Sequence, residues 1–103
     1  METQLLRAIL MTMGRQTFPV STLLAIVAPV AGSEKQVAAF NLCDGHHTQA
    51  DISKETGIDK GNLSRSMARW IEAGILFRVG ADELPLHIYP IPKSAIKTAK
   101  AGD

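Results

Sequence analysis

TQADISKETGIDKGNLSRSMARWIEAGILFRVG, running from Thr48 to Gly80, is the stretch on which the fold turns. Thr48 followed by Asp51 has the form of a helix N-cap and predicts a short helix from about Gln49 to Thr56, anchored by Ile52. Gly57 supplies a sharp turn. Asp59 can cap a longer helix reaching about Ala73, in which Leu63, Met67, Trp70 and Ile71 form one buried stripe and Gly74 ends the element.

Two helices joined by a short glycine-containing turn pack across each other and leave the second exposed along one side. At about 100° per residue, Leu63, Met67, Trp70 and Gly74 cluster on one face, while Asn62, Arg65, Ser66 and Arg69 gather opposite. The exposed stripe is therefore expected to be polar and basic. Arginine and asparagine on a helix in the major groove can make paired hydrogen bonds to guanine and adenine edges, so Asn62 and Arg65 are the candidate base readers. Lys60 and Arg69 suit phosphate contacts, and Ser64 and Ser66 add hydroxyls on the same helix. Thr48 and Gln49 stand where the free amides of the shorter helix can take a phosphate oxygen.

This succession of short helix, glycine turn, longer helix and glycine before an extended run resembles the winged helix-turn-helix of the MarR and ArsR-like transcription regulators. The likeness covers roughly a third of the chain. It implies a helical fold ending in a β-hairpin wing, binding of double-stranded DNA as a symmetric dimer, and control of transcription, with repression as the expected output.

Downstream, Ile75 to Val79 and Leu86 to Tyr89 are β-prone runs separated by Gly80, Asp82 and Pro85, which predicts a hairpin. Here the sequence departs from the pattern: Asp82 and Glu83 place negative charge at the tip of the wing, and only Arg78, at its base, can face a phosphate. Residues 93–103, with Lys93, Lys97 and Lys100, read as a loosely ordered basic tail.

Upstream, Leu5, Leu6, Ile9, Leu10 and Met13 repeat at helical spacing over residues 2–13, with Gly14 as the expected stop. A second helix follows at 20–28 between Pro19 and Pro29. Ser33 with Gln36 has the form of a capping box for a third helix, which turns Val37, Phe40 and Cys43 inward and closes at Gly45. The apolar surplus in residues 5–31 exceeds what a small winged core needs to cover, so residues 1–32 are expected to dimerise and residues 33–92 to form the DNA-binding unit. The run FPVSTLLAIVAPVAG, Phe18 to Gly32, is too short to span a bilayer and reads as a buried helix.

Composition bounds the alternatives. A chain of 103 residues with 46% apolar and 20% charged residues supports one compact core. A net charge of +1 does not by itself announce a nucleic-acid binder, so the DNA reading rests on where the charges sit. Cys43 is the single cysteine, which excludes an internal disulfide and fits a cytoplasmic setting. Cys43, Asp44, His46, His47 and His87 are the only grouping with ligand chemistry, and without paired cysteines no metal site or cofactor is expected. No pattern of nucleophile, base and orienting residue points to an enzyme. Two alternatives stand beside the DNA reading: a winged helix that docks on a protein, and a regulator that responds to a metal or small molecule.

Overall fold

A computed structural model describes residues 2–29 and 34–92; the Ser33 cap and the 93–103 tail of the sequence reading lie outside them. The elements run α1 (Glu2–Thr17), α2 (Val20–Val27), α3 (Glu34–Asn41), α4 (Gln49–Thr56), α5 (Lys60–Glu72), β1 (Leu76–Val79) and β2 (Leu84–His87). The molecule is therefore mainly helical with a small antiparallel sheet.

Local chemistry explains most of these boundaries. At the start of α4 the Thr48 hydroxyl accepts from the Asp51 amide at 3.1 Å, and the Asp51 carboxylate accepts from the Thr48 amide at 3.2 Å. This reciprocal box satisfies two amides that a helix start leaves open. Gly57 ends α4 in the left-handed region at φ 76°, where a side chain would be strained. Asp59 then caps α5 by accepting from the amides of Gly61 and Asn62.

One core holds the elements together. Leu63, Met67 and Trp70 of α5 are fully buried with Phe40, Ile52, Ile75 and Leu76, and Phe40 meets Trp70 edge to face at 5.3 Å between ring centroids. Leu23 and Val27 of α2 belong to the same cluster.

Four expectations need correction. Gly14 does not stop α1, which continues to Thr17. The glycine serves packing instead: a Cβ built there would stand 2.8 Å from the Cβ of Ile88, so only a bare backbone lets the helix lie this close. The second strand is Leu84–His87 rather than Leu86 to Tyr89, with Pro85 inside it opposite Arg78. Pro85 fits because its backbone faces away from β1: its carbonyl accepts from the Gly45 amide at 2.9 Å, so its missing N–H costs the β1 ladder nothing. On that same side the His87 amide donates to the Cys43 carbonyl at 2.7 Å, and Asp44 forms a single bridge to Leu86.

The remaining two corrections concern α5 and α3. Ile71 is exposed and Ser66 is buried, the reverse of what was expected. Both lie on the flanks of the Leu63–Trp70 direction, where the apolar pattern cannot say which flank a neighbouring element covers. The third helix, finally, ends at Asn41 ahead of Gly45, and the Asn41 side chain ties the next layer in: its amide nitrogen donates to the Ile91 carbonyl at 2.9 Å and its oxygen accepts from the Ile91 amide at 2.7 Å.

Candidate nucleic-acid interface

Helix α5 is anchored from behind and open in front. With Leu63, Met67 and Trp70 buried, Asn62, Ser64, Arg65 and Arg69 are left exposed, as is Lys60 in its first turn. The helical period divides these residues between two flanks: Asn62 and Arg69 lie beside the buried Ser66, while Lys60 and Ser64 lie on the side of Ile71. Arg65 sits near the crest between them. Its guanidinium donates to the Asn62 side-chain oxygen and stands over Gly61, where a Cβ would come within 3.7 Å of its Nη1. The two candidate base readers are thus joined by one hydrogen bond, which leaves the Asn62 amide N–H groups and the remaining Arg65 donors outside it.

Sequence reasoning missed Glu72, which the same period places close to the crest, one turn beyond Ala68. Its exposed carboxylate puts negative charge at the C-terminal end of α5, and the cations of the helix, Lys60, Arg65 and Arg69, all lie on the N-terminal side of it. The signal was present in the acidic side chain at that angle.

The other expected residues form a second group. Thr48 is exposed but its hydroxyl is engaged in the cap. Gln49 accepts from the Arg78 guanidinium at 3.3 Å, which joins the start of α4 to the base of the hairpin. This contact spans elements far apart in sequence and places Arg78 beside the α4 N-terminus. Ser66, with 6% of its surface accessible, is not available to lie along a duplex.

Beside the exposed arginines lies a groove of about 840 Å³, walled by Asn62, Arg65, Ser66 and Arg69 of α5 and by Glu34, Lys35 and Gln36 at the start of α3. Lys35 reaches over the α4–α5 turn, its Nζ lying 3.8 Å from where a Cβ on Gly57 would stand. Nothing in the spacing along the chain could pair Lys35 with the arginines of α5, because the association is made by packing.

The Cys43 grouping does not converge on a metal. Cys43 is buried, its thiol donates to the Ala39 carbonyl at 3.3 Å, and burial with the nearby Asp44 charge pushes its pKa up to about 12. A thiol so firmly protonated is a poor ligand. Asp44 instead accepts from the His46 amide at 2.8 Å and pairs with His47 Nδ1 at 2.9 Å. Among the described residues no three histidine, cysteine or carboxylate side chains are grouped to hold a metal ion.

No described helix is long and apolar enough to cross a membrane. The chain matches no family model, no curated protein and no solved structure.

Proposed function

We propose that this protein is a winged helix-turn-helix regulator that binds double-stranded DNA through α5, as a homodimer in the cytoplasm, with repression as the output. The observation that carries the reading is the division of α5: Leu63, Met67 and Trp70 are fully buried, while Asn62, Arg65 and Arg69 are uncovered by any described part of the chain. A helix held rigidly from behind with arginines in front is what entry into a major groove requires. Arg78 and the α4 N-terminus supply a second point of phosphate contact, which sets register.

Support for the dimer comes from α1, where Leu5 is 64% and Met13 61% exposed, with Leu6 and Ile9 between them also open. Four large apolar side chains along one helix face are costly to leave in water, and a second copy of the same face covers them. The acidic wing tip leaves each subunit with modest affinity, which a two-site complex offsets.

The test is a salt titration of binding to a random duplex. Neutralised phosphates give a linear fall of log affinity with log salt, steep in proportion to the number of contacts, whereas a module that docks on protein gives none. Arg65→Ala is expected to change sequence preference, and Arg69→Ala to weaken binding to all sequences and flatten the salt slope by about one. Absence of any salt-dependent duplex binding refutes the proposal in favour of protein docking.

A further inference from the structure

Helix α1 has two opposed faces. One is seated on the body: Met11 packs against the core cluster, Gly14 lies against Ile88, the Arg15 guanidinium stands 5.4 Å from the centre of the Tyr89 ring, and the Tyr89 hydroxyl donates to the Phe18 carbonyl just beyond the helix. These attachments hold the C-terminal half and leave the turns carrying Leu5, Leu6 and Ile9 with exposed side chains. Three properties of the open face suit a copy of itself. Leu5, Ile9 and Met13 fall four residues apart, a ridge placed evenly about Ile9. The helical period turns Arg7 toward the seated side and Arg15 to the flank, so neither cation on this stretch is there to select a charged partner. The Thr12 hydroxyl beside the ridge donates to the Ala8 carbonyl of its own helix at 2.9 Å, so covering it leaves no donor unmet.

We propose that two copies of the chain join through an antiparallel pair of α1 helices that cross at Ile9, with Leu5 of each against Met13 of the other. The inference rests on the dimer reading and gives it a geometry: the two-fold axis passes beside Ile9, so each pair of contacts is repeated once across it. The direction follows from two features. Exposed apolar surface is broad at Leu5 and Leu6 and narrow at Met13, so opposed ends complement each other. Each helix is seated on its own body at the C-terminal half, so antiparallel pairing sets the two bodies at opposite ends, and it also lets the helix dipoles attract where parallel ones repel.

The experiment measures the dimer by sedimentation equilibrium and its direction by cysteine cross-linking of the full chain, with the parent, whose Cys43 is buried, as control. About a crossing at Ile9 the two copies of residue 5 stand roughly 12 Å apart along the helix axis, as do the two copies of residue 13. Oxidation is therefore expected to join Ile9→Cys to itself and Leu5→Cys to Met13→Cys in a mixture, while neither of the last two joins to itself. Leu5→Lys or Met13→Glu alone should weaken the dimer roughly tenfold, and the two in one chain should recover most of that loss, because they meet as opposite charges. All three positions are exposed, so the variants leave the core intact. Leu5→Cys joining to itself, with the double variant weaker than either single one, means a parallel pair and overturns the inference while keeping the dimer. A dimer that none of these substitutions joins or weakens lies elsewhere on the surface and overturns it as well. A parent that stays monomeric at every concentration refutes the dimer reading itself, and the pairing with it.

Discussion

Replacing Gly14 by alanine sets two effects of opposite sign against each other. Within a helix interior, Ala is favoured over Gly by about 1 kcal/mol, so propensity alone makes Gly14→Ala stabilising. Against this, the added Cβ would meet the Ile88 Cβ at 2.8 Å, and that atom is fixed to its own backbone and cannot swing aside. Overpacking of this kind costs roughly 1–3 kcal/mol, and a contact between two Cβ atoms belongs in the upper part of that range. The net expectation is a loss of about 1–2 kcal/mol, a fall in Tm of roughly 5–10 °C for a domain of this size. Urea unfolding followed by the fluorescence of Trp70, the single tryptophan, measures it at fixed protein concentration. Ala8→Gly, at an exposed position of the same helix, is the control and loses about 1 kcal/mol by propensity alone. If Gly14→Ala proves more stable than the parent while Ala8→Gly is less stable, α1 does not press on Ile88 and the packing argument is refuted.

Other consequences can be checked with simple measurements. Leu5→Asp combined with Met13→Asp should convert a dimer to a monomer in sedimentation equilibrium with the helical content kept; a parent protein that is monomeric at every concentration removes the basis for the dimer. Native Cys43 should resist alkylation at pH 8 and react only as the chain unfolds, since its thiol is buried and held protonated; rapid labelling of folded protein contradicts that burial. Acidification through the ordinary histidine range pulls two ways. Burial lowers the pKa of His87, so its stabilising contribution is present above its unfolded value and lost as pH falls below it. The hydrogen bond to Asp44 raises that of His47, so its contribution is present below its unfolded value and lost as pH rises through the folded one. His87→Phe should therefore flatten the loss of stability between pH 7 and 5, and His47→Ala should steepen it. Unchanged profiles in both variants refute the assignment.

Much of the chain's local structure could be read without coordinates, because its signals act within a few residues. The Thr48–Asp51 box, the left-handed Gly57, the Asp59 cap and the stripe of Leu63, Met67 and Trp70 depend on neighbours along one helix, and a single sequence contains those neighbours. Tertiary structure decided the matters that depend on what lies across a gap. Gly14 could be a helix stop or a contact point, and Ile88, remote in sequence, determines which. Pro85 could interrupt a strand or sit within it, and the side toward which its backbone faces makes the second acceptable. Ser66 and Ile71 exchange their expected exposures because packing, not the apolar period, selects the covered flank of α5. Lys35 comes to line one groove with the arginines for the same reason: helix propensity is local, whereas the approach of separate helices is set by how the core closes.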